Sequence, residues 1–264
     1  HLLEDVYTYN DFVHDGQTPG CEKKAVVTSD KKKPYLITEY NGHMYPTKTF
    51  DCEDHRVEHA LRHVRVLNAV AGETDIAGSF GWCMFDYNTH KDFGSGDRIC
   101  YHGVLDMFRN PKMAAAVYAS QQEEEIVMEV SSAMDIGEHP ECKLGKIFIF
   151  TNADSVRMYK NGRFIKEYDV KHSPYKNLGH GPILVDDFLG DMLEVKENIP
   201  KELAKKIAYA MNYVAVYGFS KLPPKLMTIA FECVVLKRMK VDYIIGLYGK
   251  DIGNGGEAAT EHRF

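Results

Sequence analysis

Three stretches of this chain hold residues whose types and spacing suit chemistry. The first is Lys33-Pro34-Tyr35-Leu36-Ile37-Thr38-Glu39-Tyr40-Asn41-Gly42-His43. Tyr35, Leu36 and Ile37 make a short apolar run bounded by Pro34 and Gly42, which predicts a buried strand. That strand delivers the Glu39 carboxylate into a Tyr-Asn-Gly turn. Carboxylates at the C-terminal ends of parallel barrel strands lie where loops build active sites. A strand-end glutamate held in a salt bridge fits this stretch equally well. The second is His55-Arg56-Val57-Glu58-His59, with His63 one turn further on. This is the His-x-x-Glu-His spacing of some zinc peptidases, and histidines at i and i+4 can share a metal. No third ligand or substrate-binding strand follows it, so a solvated polar face of a helix is the expectation and no metal is assigned. The third is Gly253-Asn254-Gly255-Gly256. It follows a predicted helix instead of opening one after a strand, which argues against a phosphate cradle.

The elements around Glu39 can be read from periodicity. Asp5 to Phe12 is aromatic and β-branched and predicts a strand that runs into a His14-Asp15-Gly16 loop. After Glu39, Asp51 and Asp54 suit the first turn of a helix, where their charge complements the dipole. Val57, Ala60, Leu61, Val64, Leu67 and Val70 follow at three- and four-residue spacings, and Gly72 closes the helix. Ile76 to Phe85 predicts another strand, ending in Asp86-Tyr87. Strand, helix, strand is a βαβ unit, so the two strands should be parallel. A Gly- and Asp-rich loop (Phe93 to Asp97), the segment Gly103-Val104-Leu105-Asp106, and a helix from Asn110 to Gln121 with Pro111 at its first position complete this half.

Three ordered motifs now carry a resemblance: Lys-Pro-x-x-x-Thr-Glu-Tyr, Gly-x-Phe-Gly-Trp-x-x-Phe-Asp-Tyr and Gly-Val-Leu-Asp-x-x-Arg-x-Pro-Lys. Together they resemble glycoside hydrolase family 2, and within it the β-galactosidases. The resemblance covers roughly residues 1–121 and implies the last strands and final helix of a catalytic (β/α)8 barrel. It implies that Glu39 is the nucleophile and that Trp82, the only tryptophan, is the platform under the sugar. A flat apolar ring suits the C–H face of a pyranose; a core tryptophan is the plain alternative. It further implies that Asp86 hydrogen-bonds a sugar hydroxyl and that Tyr9 and Asn10 orient Glu39. His43 is a further candidate substrate contact, although it lies four residues after Glu39 where the better-known pattern has three. A β-galactoside or related carbohydrate is the implied partner, and family members are commonly homo-oligomers.

A retaining glycosidase needs two carboxylates about 5–5.5 Å apart. In this family the acid/base is the Glu of an Asn-Glu pair, and no Asn-Glu dipeptide occurs in the 264 residues. The expectation is therefore the C-terminal part of a larger enzyme, inactive alone. A non-catalytic carbohydrate- or partner-binding module is the competing reading. His1 stands where a Met would be expected, with no charged apolar leader after it, so the natural N-terminus is expected upstream; a cytoplasmic location is favoured, with a lost leader left open.

Net charge of −6 argues against a nucleic-acid or anionic-membrane surface, and no apolar run approaches the roughly 18 residues of a spanning helix. Six cysteines without a CxxC spacing predict free thiols, and no cofactor is implied.

A polar run, Gln121 to Glu125, sets the predicted domain boundary: 1–121 for the end of the barrel and 122–264 for a second domain. Short strands at Ile126 to Val130, Lys146 to Thr151, Ser155 to Lys160 and Arg163 to Val170, with Asn161-Gly162 as a hairpin turn, predict a β-sandwich. The run Thr151 to Gly162 also resembles the immunoglobulin-like domain that follows the barrel in this family. From Ile199 the period becomes helical. One helix starts at Pro200 and stops at Gly218, a second runs from Pro223-Pro224 to Met239, and a third spans Val241 to Tyr248. The helical block, about 199–250, carries a broad apolar side (Phe231, Val234, Val235, Leu236) that is expected to be packed.

Overall fold

The computed structural model describes residues 4–43, 45–91, 97–132, 134, 144–253 and 262–264. Most of the Phe93 to Asp97 loop, Cys142 and the Asn254 to Gly256 part of the glycine-rich run lie outside the described residues. The chain divides into two compact units, His1–Ser131 with Ile149–Ala153 and Ser173–Ile183, and Ser132–Phe148 with Asp154–His172 and Leu184–Phe264. Both helices and sheets contribute to the fold.

In the first unit, β1 (Tyr7–Asn10), a single turn α1 (Lys24–Val27), β2 (Tyr35–Tyr40), α2 (Glu53–Ala71) and β3 (Gly78–Gly81) follow in order. The three strands form one parallel sheet in the order β1-β2-β3, with α2 as the crossover between β2 and β3. Glu53 and Asp54 occupy the first turn of α2, where the exposed amide ends favour negative charge. Tyr35, Ile37, Tyr40 and Val66 are buried together, and Leu67, Val70 and Ile76 pack against them. Each such apolar side chain removed from water contributes about 1.5–3 kcal/mol, which fixes α2 to one face of the sheet.

The third strand is shorter than the apolar run Ile76 to Phe85 suggests. After Trp82, whose amide makes the last bond to β2, the backbone leaves that strand, because the carbonyls of Cys83 and Met84 accept the amides of Val104 and Leu105 instead. A short hairpin follows, β4 (Tyr87–Asn88) with β5 (Ile99–Cys100). The next helix, α3 (Met113–Ala119), begins two residues after Pro111, since Pro111 bridges Leu105 and the Lys112 amide is bonded to the Val104 carbonyl. β6 (Met128–Val130) then pairs antiparallel with β7 (Ile147–Thr151).

A separate antiparallel sheet joins β8 (Ser155–Lys160) to β9 (Arg163–Asp169). Asn161 and Gly162, at φ 49° and 74°, form the two-residue turn with both central residues left-handed that the sequence requires. β10 (Ile183–Val185) flanks β7. A short α4 (Met192–Val195) precedes α5 (Lys201–Tyr217), α6 (Pro224–Phe231) and α7 (Val241–Asp251), and β11 (His262–Arg263) pairs with β8. The expected second helix to Met239 ends earlier as an α-helix, passing into a π-helical turn at Glu232–Leu236. The apolar side expected to be packed is exposed in the described chain: Phe231 is 56% and Leu236 64% accessible. Leu226, Ile229 and Cys233 are the buried residues of that segment, so it turns a different face inward. Cys21, Cys52, Cys83, Cys100 and Cys233 are free thiols.

Candidate active site

Strict alternation along β2 would place Glu39 beside Tyr35 and Ile37, inside the core against α2. Irregularities in register, between Tyr9 and Asn10 on one side and between Ile37 and Tyr40 on the other, break that alternation. Bulges of this kind re-aim side chains at functional sites. Tyr40 takes the buried side, and the Glu39 carboxylate turns to meet Asn10. The Asn10 amide is engaged at both ends: its Nδ2 donates to Glu39 Oε2 at 3.1 Å while its Oδ1 accepts from Thr38 Oγ1 at 2.9 Å. The same pair of strand ends is tied by the Asp11 amide, which donates to the Glu39 carbonyl at 2.7 Å.

Asn41, at φ 59°, turns the chain sharply after β2, a conformation asparagine tolerates better than most residues. Gly42 then passes so close that a Cβ there would lie 2.7 Å from Glu39 Oε1 and would overlap the Phe12 ring. His43 is exposed; its Nε2 donates to the Phe12 carbonyl at 3.0 Å and its ring meets the Phe12 ring edge-on at 5.4 Å. Tyr9 is 36% exposed on β1.

Trp82 begins where β3 stops. Its backbone amide donates to the Tyr40 carbonyl at 2.8 Å, and the Trp82–Cys83 peptide is cis. The indole is 40% exposed, with Nε1 donating to the Tyr87 hydroxyl at 3.2 Å and Tyr87 packed perpendicular to it. Asn10, Glu39, His43 and Trp82 therefore gather at the C-terminal ends of three neighbouring parallel strands.

Asp86 lies elsewhere in chemical character. Its side chain is 3% exposed and Oδ1 accepts from Lys112 Nζ at 2.6 Å and from the Gly103 amide at 2.9 Å. Burial pushes this carboxyl above its ordinary range, and the Lys112 ammonium and the Gly103 N–H pull against that push. Lys112 also donates to the carbonyls of Thr47 and, at 3.4 Å, Tyr101. Asp86 thus ties four segments together from inside the protein.

The helix face expected to be solvated is not. His59 and His63 are 4% and 1% exposed, because α2 packs on the sheet with one face and on α3 with another. Burial, with neighbouring cationic groups, drives the His59, His63, His102 and His14 imidazoles toward the neutral form, His63 down to about 3. Among the described residues no group of three or more His, Cys, Asp or Glu is arranged to hold a metal. Instead His59, His63 and His102 line, with Asn41, Arg62 and Trp82, a cavity of about 10 Å³. That is room for a single water at most.

Sequence reasoning singled out the strand-end groups and, through the resemblance, Asn10 as the group that orients Glu39, but not what holds the segments behind them. Lys112 and Gly103 were visible only as the ends of the third motif, and Tyr118, whose hydroxyl bonds both Tyr40 and His63, carried no signal beyond an aromatic in a short helix.

No protein-family model matches the chain. A β-galactosidase of Thermoanaerobacterium thermosulfurigenes is 43% identical over 248 residues, covering 91% of this chain and 35% of that protein. A β-galactosidase of Thermoanaerobacter pseudethanolicus is 40% identical over 183 residues, 68% of this chain and 24% of that protein. Among solved structures, an FMN-binding β-glucuronidase from Facaelibacterium prausnitzii L2-6 aligns with 68% of this chain and 28% of its own, at a TM-score of 0.49 and 18% identity. The chain spans about a third of the length of the first of these relatives and about a quarter of the second. On these sequence likenesses the chain is a β-galactosidase-like member of glycoside hydrolase family 2.

Proposed function

We propose that the protein to which this chain belongs is a retaining exo-glycosidase that hydrolyses terminal β-D-galactosides. Glu39 attacks the anomeric carbon, the aglycone leaves with a proton from a separate general acid, and water then cleaves the glycosyl-enzyme ester with that same residue acting as base. The observation that carries this reading is the Asn10–Glu39 pair at adjacent strand ends. The amide fixes one carboxylate oxygen, so the other can be presented to a sugar. Trp82 offers its exposed ring face to the pyranose. Tyr9 and His43 line the rim, and Asp86 serves the site by holding its loop, with any contact to a sugar hydroxyl secondary to that. In this reading residues 1–121 form the end of a (β/α)8 barrel, and 122–264 an immunoglobulin-like sandwich with a helical insertion. Oligomerisation belongs to the whole protein.

The acid/base carboxylate is assigned to a segment other than these residues, so the isolated chain should not turn over substrate. The test is hydrolysis of an aryl β-galactoside by this chain and by the full-length protein, each beside Glu39→Gln. The expected result is activity only in the full-length protein and its loss in the variant. Full-length Glu39→Gln with wild-type turnover would remove Glu39 from the mechanism. A full-length protein that binds galactosides without hydrolysing them would favour the non-catalytic module.

A further inference from the structure

Tyr40 stands between the two groups assigned to the sugar: it follows Glu39 directly, and its carbonyl accepts the Trp82 amide at 2.8 Å. Its side chain enters the interior, where its hydroxyl lies 2.6 Å from the Tyr118 hydroxyl, which lies 2.8 Å from His63 Nδ1. Tyr40 and His63 are each 1% exposed, and the three rings meet edge-on, His63 to Tyr40 at 6.1 Å and to Tyr118 at 5.6 Å. If Tyr40 donates to Tyr118 and Tyr118 donates to Nδ1, both phenol protons are used and the imidazole acts as a neutral acceptor. The trio draws on three elements, β2, α2 and α3. It also touches β3, because a Cβ on Gly81, the residue before Trp82, would overlap the Tyr118 hydroxyl and lie 3.0 Å from the Tyr40 ring.

We propose that Tyr118 and His63 are positioning residues that hold Glu39 and Trp82 in register with each other, acting through Tyr40 and Gly81. The assignment rests on the glycosidase reading for its purpose, but not for its geometry. Removing the Tyr118 hydroxyl leaves two buried polar atoms without their partner. Tyr40 can then rotate or shift, and both the strand end behind it and the Trp82 backbone bonded to it follow. A supporting shell of this kind sets whether a site is tight or loose.

Trp82 is the only tryptophan, so its fluorescence reports the site directly in this chain without any catalytic assay. Tyr118→Phe and His63→Leu should each raise acrylamide quenching of Trp82 by about twofold, as expected when a supporting shell is lost. His63→Asn, whose carbonyl oxygen sits near the place of Nδ1, should stay close to wild type. Gly81→Ala should perturb Trp82 in the wild-type background and less so beside Tyr118→Phe, because the overlapping oxygen has been removed. Wild-type quenching in Tyr118→Phe and His63→Leu, with a lowered melting temperature, would show a purely structural trio and overturn the proposal. If a variant fails to fold, His63→Asn decides: quenching like that of His63→Leu or of the unfolded chain overturns it. In the full-length protein the positioning variants should lower kcat on an aryl β-galactoside more than they change KM. Absence of any galactosidase activity in the wild type would sink the functional reading while leaving the fluorescence result standing.

Discussion

Lys112→Met isolates what the buried ion pair does for this fold. Methionine keeps most of the lysine stem, so little cavity opens, but Asp86 Oδ1 loses its charged donor, keeping only the Gly103 amide, and the Thr47 carbonyl loses the ammonium. Both side chains of the pair are 3% exposed, so solvent cannot substitute for the missing ammonium. Removing one partner of such a pair costs about 3–5 kcal/mol, because a charge stays buried without compensation. With an m-value of about 1–3 kcal/mol per molar urea, the unfolding midpoint should fall by one molar or more. Trp82 fluorescence is the suitable signal, since Trp82 and the pair belong to the same compact unit. Asp86→Asn/Lys112→Met removes both charges and should recover part of the loss, as the coupling within a contacting pair requires. Burial already pushes the Asp86 carboxyl upward, and without Lys112 only the Gly103 N–H opposes that push. A carboxyl with a raised folded pKa favours the folded state at low pH, so the variant's deficit should narrow as pH falls. A loss under about 1 kcal/mol would place the pair among surface-like bridges and refute the argument.

Other perturbations test separate parts of the molecule. In the full-length protein, Glu39→Gln should abolish aryl β-galactoside hydrolysis and leave the melting temperature within a few degrees, since the Asn10 amide can still donate to the Gln oxygen. Gly42→Ala should lower activity more than stability, because its Cβ would press on Glu39 Oε1 and the Phe12 ring; equal kcat in the two proteins would argue against that close approach. His63 titrates near 3 in the folded chain against 6.5 in the unfolded chain. Below pH 6.5 the unfolded chain therefore takes up a proton that the folded chain refuses, and stability falls as pH drops from 6.5 toward 3. At pH 5 this one group removes about 2 kcal/mol, with His14, His59 and His102 acting in the same direction; urea midpoints that do not change between pH 7 and 5 would refute it.

What the sequence disclosed and what it concealed follow from the range of the forces involved. The strand at Glu39, the helix after it and the Asn161-Gly162 turn rest on local pattern, and each is present in the structure. The histidine stripe of α2 misled because a residue-by-residue scale treats imidazole as polar. A helix packed against both a sheet and another helix buries more than its apolar stripe, and neutral imidazoles fill the second contact. The run Ile76 to Phe85 misled in a different way. Its apolar character was real, but the strand spans only Gly78–Gly81, backbone bonds to β2 extend no further than Ala77 and Trp82 on either side, and Cys83 and Met84 pair with the segment at Val104 and Leu105.

The partners of Asp86 show why the motif carried more than periodicity did. No local rule connects Asp86 with a lysine 26 positions later. Yet Gly-Val-Leu-Asp-x-x-Arg-x-Pro-Lys begins with the residue whose amide grips Asp86 and ends with the residue whose ammonium does. Its inner Asp106 accepts from the amides of Phe108 and Asn110, which bends the chain back so that the two ends meet. Gly103 has no alternative at that position, because a Cβ would overlap the Asp86 and Leu105 backbones. The spacing of the motif is therefore the length of a loop that closes on one buried carboxylate. That closure sets the segment following Trp82, much as Asn10 sets Glu39. Strand ends alone yield Glu39 and its neighbour Asn10; the groups that hold the loop after Trp82 are found only where a long-range contact has been written into a fixed spacing.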